Sequence, residues 1–183
     1  MPIVDLADQS NNLVLDQAAA LLVEGFDEPR GWPTLDLARE EVESVLRLGF
    51  ARGMVDGGAL LGWVGGLPEY GGRVWELHPM VVSRSRRHCG IGRALAAAFE
   101  TEARRRGGLT ATLGTDDDFG MTSLSDVDLY ADVPRHITRL CDLGRNHPFL
   151  FYQKLGYVVT GVMPDANGIG RPDIYMSKRL AGS

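Results

Sequence analysis

Val81-Val82-Ser83-Arg84-Ser85-Arg86-Arg87-His88-Cys89-Gly90-Ile91-Gly92-Arg93-Ala94-Leu95 decides the reading of this chain. An apolar strand runs into a basic turn with two glycines, and a helix opens directly from that turn. Free backbone N–H groups, the positive end of a helix dipole and several arginines then converge on one point, the arrangement a pyrophosphate needs. Gly90 and Gly92 lack a Cβ, so the main chain can approach phosphate oxygens closely. The spacing Arg87-x-x-Gly90-x-Gly92 matches neither the dinucleotide fingerprint G-x-G-x-x-G nor the Gly-Lys-Ser/Thr of a P-loop. The plainer alternative is an ordinary helix start. The strand before the turn and the helix after it favour an anion-binding loop.

Working outward, 183 residues suffice for one domain spanning 1–183 with a proper core. A hydrophobic fraction of 44% and a charged fraction of 23% are those of an ordinary globular chain. No apolar run approaches the roughly 20 residues of a membrane span, and the N-terminus Met1-Pro2-Ile3-Val4-Asp5 lacks the basic and apolar regions of a signal peptide. The two cysteines suit a reducing cytoplasm, and neither they nor the scattered His78, His88, His136 and His147 show metal-ligand spacing. No metal is expected. A net charge of −5 disfavours nucleic acid as a partner. The charges are uneven: Asp116, Asp117, Asp118, Asp126, Asp128 and Asp132 crowd one segment, and arginines dominate Arg84 to Arg93. One stretch is therefore suited to a polyanion and the other to a polycation, unless the acids merely line a solvated loop.

The chain reads as α+β, without repeats or low-complexity linkers. Ile3 to Leu6 is a short strand, and Leu13 to Glu24 a helix entered through Ser10-Asn11-Asn12. After the loop Gly31-Trp32-Pro33, Thr34 caps a helix to about Leu48. Phe50 to Asp56 and Ala59 to Leu67 are strands joined at Gly57-Gly58, and Val74 to Val82 is the strand that feeds the arginine loop. Gly92 to Arg106 is a helix with basic residues in its last turn and Gly107-Gly108 as a stop. Leu109 to Leu113 is a strand, and a helix follows around Val133 to Leu143. Pro148 opens a further helix that stops at Gly156, and Tyr157 to Val162 and Asp173 to Lys178 are the closing strands.

The basic loop resembles the acyl-CoA pyrophosphate loop of the GNAT N-acetyltransferase superfamily, and the order of elements is that of its fold. That resemblance implies a mixed, largely antiparallel central sheet, flanked by helices, with two central strands splayed where the cofactor enters. The likeness narrows at Pro68-Glu69-Tyr70-Gly71, Trp75-Glu76-Leu77-His78-Pro79, Leu113-Gly114-Thr115-Asp116-Asp117, Asp128-Leu129-Tyr130, His147-Pro148-Phe149-Leu150-Phe151-Tyr152-Gln153-Lys154-Leu155-Gly156-Tyr157, Pro164-Asp165-Ala166-Asn167-Gly168 and Arg171-Pro172-Asp173-Ile174-Tyr175-Met176. These segments resemble aminoglycoside 6'-N-acetyltransferases. The resemblance covers the chain from about Leu61 onward and is weaker before Gly49, where the family often has a Trp-Pro pair and this chain has Phe26-Asp27.

Acetyl transfer to an amine needs a neutral nucleophile, a polarised carbonyl and a stabilised leaving thiolate. Side chains alternate along a strand, so Glu76 and His78 share a face just before the loop. Glu76 is the candidate to hold or deprotonate the substrate ammonium, directly or through water, and His78 to relay the proton. The alternatives are that Glu76 pairs with an arginine and that His78 simply packs before Pro79. Backbone groups near Val81 and Val82 are candidates to bind the thioester or pantetheine. Tyr152 matches the tyrosine that the superfamily places near the CoA sulfur, and a phenol of pKa about 10 is a sensible donor to a thiolate. Arg87, His88, Cys89, Gly90, Ile91, Gly92, Arg93 and Ala94 make up the expected cofactor loop, with Asn146 and Lys154 at the cofactor's far end. Cys89, facing pyrophosphate, is poorly placed as an acyl carrier, and Cys141 has no base beside it, so direct transfer is preferred to an acetyl-cysteine route.

The resemblance implies acetyl-CoA as co-substrate, the 6'-amine of an aminoglycoside as acceptor, resistance as outcome and a homodimer. Tyr70, Glu76, Asp116, Asp117 and Asp173 are the candidate acceptor lining. A GNAT enzyme acting on a polyamine, peptide or protein amine is the competing enzyme reading, and a non-catalytic acyl-CoA sensor the competing binding module.

Overall fold

The computed structural model describes residues 1–8, 12–26 and 31–180, and in it the basic loop joins a strand to a helix as its sequence requires. The chain divides into two compact units, Met1–Ala111 with Leu180–Ser183, and Thr112–Arg179. In the first, β1 (Ile3–Asp5), β2 (Phe50–Asp56), β3 (Ala59–Glu69) and β4 (Val74–Val82) pair antiparallel in that order. The helices are α1 (Asn12–Gly25), α2 (Leu35–Leu48) and α3 (Ile91–Arg105). Thr34 caps α2 by accepting the Leu37 N–H at 3.3 Å.

The period of two assigns each helix to a face of these strands. Trp63 is wholly buried toward α1, where its indole N–H donates to the Ala18 carbonyl at 3.1 Å. Its neighbour Gly62 faces the other way, toward Leu95 of α3. α1 and α2 therefore cover one face with a core that includes Leu22, Ala38, Val42, Val45, Trp63 and Val81. Phe50 stacks on Phe99 of α3 at 5.8 Å and packs against Trp75 at 5.2 Å on the opposite face. The end of α3 is pinned by Glu102, which takes the guanidinium groups of Arg105 and Arg106 at 2.7 Å and Arg52 at 3.0 Å. Those hydrogen bonds, Arg105 first, hold its carboxyl down at about 2.

β3 and β4 do not keep one register. Val64 faces Met80 and Gly66 faces Leu77, so Gly65 stands opposite both His78 and Pro79. This bulge reverses the alternation: Trp75 and Leu77 point to the α3 face, whereas Val81, three residues after His78, belongs to the α1/α2 face. A Cβ at position 65 would collide with the His78 carbonyl oxygen, which is why glycine stands there.

In the second unit, β6 (Val158–Met163) and β7 (Asp173–Arg179) form an antiparallel pair, and the unit also holds most of β5 (Thr110–Asp116), α4 (Val133–Thr138) and α5 (Phe149–Lys154). The helix expected to Leu143 stops at Thr138, and Cys141 is not helical. The Cys141 N–H donates to Ser123 Oγ at 3.1 Å, and its carbonyl accepts the Ser123 N–H at 3.0 Å. Asp142 then gathers the N–H groups of Gly144, Asn146 and His147 at 2.8–3.2 Å, bonds that only a tight turn can supply. Strand β3 runs two residues beyond Leu67, with Pro68 opposite Trp75. The helix entry read at Ser10-Asn11 and the departure read at Asp27 lie outside the described residues. Among the described residues no helix is long and apolar enough to cross a membrane.

Candidate active site

The loop after β4 is built for an anion. Arg84–Arg86 form a 3-10 turn, His88 and Gly90 take left-handed conformations at φ 63° and 84°, and α3 starts at Ile91. Gly90 is the N-cap and supplies no side-chain acceptor, so the first N–H groups of α3 are left to a ligand or water. A Cβ built at Gly90 would meet nothing within 4 Å, so the space before this helix end is open. Arg86, His88, Cys89 and Arg93 are exposed around it, and Ile91 is buried in the core. These residues fit an acyl-CoA pyrophosphate: free amides, a helix dipole and cationic side chains on an open turn. The Arg87 guanidinium donates to the carbonyls of Val82 at 3.4 Å and Gly25 at 3.5 Å, bracing the loop.

Glu24 is a site residue without a motif to mark it. Its carboxylate accepts the Arg84 N–H at 2.7 Å and its carbonyl accepts Arg84 Nε at 2.8 Å, so the last turn of α1 latches the cofactor loop. The only cue in the chain is an acid at a helix C-terminus, where the dipole disfavours it.

Upstream on β4, Glu76 and His78 lie half-buried on the α1/α2 face. Among the described residues Glu76 has no arginine partner. Burial, which disfavours its charged form, raises its pKa above the carboxylate norm; His78 works against that rise, and Glu69 and Glu41 add to it. His78 does more than precede Pro79: its Nε2 lies 3.4 Å from Oε1 of Glu41 on α2. The hydrogen bond to Glu41 raises the imidazole pKa, burial opposes it, and the Glu76 and Glu41 charges reinforce it. Trp32 completes the group. Its indole helps hold the Glu41 carboxyl below its ordinary value, its ring lies 6.3 Å from the His78 ring, and Phe26 packs edge-on against it at 5.2 Å. Trp32-Pro33 is thus a Trp-Pro pair beside the site, a few residues past the Phe26-Asp27 position where the sequence reading placed a departure. A cavity of about 560 Å³ extends from there, its wall including Trp32, Glu40, Glu41 and Glu43.

Val81 and Val82 pair with Trp63 and Gly62, and the strand's last bond runs from the Ser83 N–H to the Leu61 carbonyl at 2.9 Å. Tyr70 sits at φ 47° in the 3-10 turn Tyr70–Gly72, 77% exposed.

In the second unit, Tyr152 is buried in α5 between Phe151 and Tyr157, edge-on to both at 5.1 and 5.7 Å. Burial pushes its phenol pKa upward, so it stays protonated at neutral pH. His147 anchors the start of that helix. Its Nδ1 accepts the Phe149 N–H at 3.2 Å, which leaves Nε2 to donate to the Asp116 carbonyl at 3.0 Å. Asn146 and Lys154 are exposed, Asn146 at φ 59° with its N–H on Asp142. Asp173 is half-buried beside Gly114, and Asp116 hydrogen-bonds the Asn167 side chain.

The acidic run is mostly architecture. Asp117 is fully buried and accepts from the N–H groups of Met121 and Thr122 and the hydroxyls of Thr122 and Ser125 at 2.6–2.8 Å. Burial works to raise its pKa, but these hydrogen bonds outweigh it and hold the carboxyl below its ordinary value. No substrate ammonium can reach it, so Asp117 leaves the acceptor lining. Asp126 pairs with Arg171, and Asp128 and Asp132 cap the turns at Tyr130 and Arg135.

The geometry on the first unit agrees with the comparisons. Residues 15–125 match the acetyltransferase (GNAT) family. A crystal structure of an aminoglycoside 6'-N-acetyltransferase complexed with coenzyme A is 41% identical, with a TM-score of 0.92 over 100% of this chain and 99% of that one. The aminoglycoside 6'-N-acetyltransferase from Enterococcus faecium is 40% identical at a TM-score of 0.90, covering 100% and 99%. An aminoglycoside 6'-acetyltransferase type Ii is 36% identical at 0.75, with the same coverage. No curated relative matches the chain in sequence. An open anion-binding turn leading into α3, on a chain with these likenesses along its whole length, has one explanation: the protein belongs to the acetyltransferase (GNAT) family and has its α+β fold.

Proposed function

We propose that this protein acetylates the 6'-amine of aminoglycosides at the expense of acetyl-CoA, by direct transfer within a ternary complex. The observation that carries the reading is the placement of Glu76 and His78 on the strand that continues into the anion-binding loop, one bulge apart from it. The likeness to 6'-N-acetyltransferases over the full chain names the acceptor class.

Acetyl-CoA, when bound, supplies the acetyl group as a thioester, whose sulfur leaves with a proton as the free thiol when the amide forms. Arg86, Arg93 and the α3 amides hold its pyrophosphate. Glu76 accepts the ammonium proton at its carboxylate, directly or through a water, and the raised pKa makes it a stronger base than an exposed glutamate. His78 takes part in moving that proton toward solvent. Tyr152, kept neutral by burial, has a phenolic proton to give to a leaving sulfur. The cavity with Trp32, Glu40 and Glu43 offers carboxylates and an aromatic face to the remaining ammonium groups, with Tyr70 as a further contact. In this reading the whole chain works as one acetyltransferase domain, the enzyme is a cytoplasmic homodimer without nucleic-acid or membrane partners, and loss of one charge from the drug gives resistance.

The test is steady-state transfer from acetyl-CoA to kanamycin, tobramycin and spermidine, with CoA release followed by a thiol reagent and products located by NMR. Turnover with acetyl on the 6' nitrogen supports the reading. Acetyl on a ring-2 amine overturns the regiochemistry, turnover confined to spermidine favours a polyamine enzyme, and acetyl-CoA binding without turnover favours a sensor.

A further inference from the structure

We propose that Glu41 is the positioning residue of the proton-handling pair: its carboxylate takes the Nε2–H of His78 and leaves Nδ1 as the nitrogen that exchanges a proton during the reaction. The proposal rests on the acetyl-transfer reading for what that proton is, and on the geometry of α2 and β4 for Glu41 itself.

Helix α2 buries Ala38, Val42 and Val45, the spacing of one apolar stripe. Glu41 lies in that same stripe, with its side chain only 25% exposed. An apolar residue there would complete the packing at no electrostatic expense, whereas a carboxylate must find partners. Its Oε1 lies 3.4 Å from His78 Nε2, and Trp32 stands on the same cavity wall. Phe26 holds the Trp32 ring from the edge, and the bulge in β4, with no side chain at Gly65 beneath it, carries His78 on the face toward α2. An imidazole with one nitrogen committed to a fixed carboxylate has a defined tautomer and a defined ring plane. The pKa directions agree: Glu41 lies below its ordinary range, chiefly through His78, and His78 lies above its own, chiefly through Glu41. The charged groups facing His78 are Glu41 from α2 and Glu76 from its own strand, while Glu69 acts on Glu76.

The experiment is a 15N NMR titration of the His78 imidazole in the wild-type protein and in E41Q and W32F, without substrates. The pH profile of kcat/KM with acetyl-CoA and tobramycin is measured alongside. Wild type should show the Nε2–H tautomer when neutral. E41Q should lose that preference and titrate about one pH unit lower, the smaller end of what an adjacent opposite charge supplies. The acidic limb of kcat/KM should move down with it, and kcat should fall about 10- to 100-fold, as expected for a misplaced group, with the KM for acetyl-CoA unchanged. W32F keeps the carboxylate but loosens it and should shift His78 the same way by less, which decides the matter should E41Q not fold. An unchanged tautomer and titration in a folded variant overturns the proposal. A wild-type enzyme inactive on every aminoglycoside overturns the acetyl-transfer reading instead, and the NMR result still decides Glu41.

Discussion

A carboxylate proposed to take a proton from an ammonium group works better when burial has raised its pKa, yet the same burial weakens the fold. For Glu76 the folded-state pKa lies above the unfolded one, so the folded chain binds more protons between the two. Stability therefore falls as pH rises through that window and stays lower above it. E76Q should lower kcat by roughly 10²- to 10⁴-fold and raise Tm at neutral pH, both readable on one preparation by thiol release and calorimetry. Asp117 has the opposite sign. Its carboxyl is held below the ordinary value, so its contribution is present above the unfolded pKa of about 3.9 and is lost as pH falls through the folded one. D117N turns an amide N–H₂ toward groups that donate, and should cost about 1–3 kcal/mol, seen as a lower Tm that the wild type approaches only in acid. From sequence the two carboxylates look alike. An aspartate that caps a turn and one that grips a substrate are the same residue type, and only the donors around Asp117, Asp128 and Asp132 tell them apart. Glu41 was illegible for a related reason: its partner His78 is far along the chain, and an acid on a helix reads as solvated.

Among the elements, the strand, basic turn and helix from Val74 to Arg105 were legible because glycines punctuate the turn and the apolar spacing switches from two to 3.6 on either side of it. The bulge at His78-Pro79 was not, since period two counts every residue alike and cannot see one that is left unpaired. The latch between α1 and the loop was also hidden, because it joins a helix end to backbone amides. E24Q keeps the shape of the latch but removes its charge. A loss of about 1.4 kcal/mol there corresponds to a rise of about tenfold in the KM for acetyl-CoA, with kcat held. A variant with unchanged KM would mean that the bracing by Arg87 suffices.

For the whole molecule, the net charge of −5 and the carboxylates about the Trp32 cavity should, under the proposed function, draw polycations by long-range attraction as well as by contact. Raising salt from about 0.1 M to about 1 M shortens the screening length from about 10 Å to about 3 Å. The KM for tobramycin should rise severalfold over that range. A KM indifferent to salt would assign recognition to hydroxyl and ring contacts. Beyond charge, the surplus residue in β4 acts like a half-turn put into a ribbon. Deleting Pro79 would not shorten a loop. It would restore a plain ladder and exchange the two sides for everything downstream, sending Val81 from the α1 side to the α3 side. One unpaired residue is what allows a single strand to turn Glu76 and Val81 to the same side.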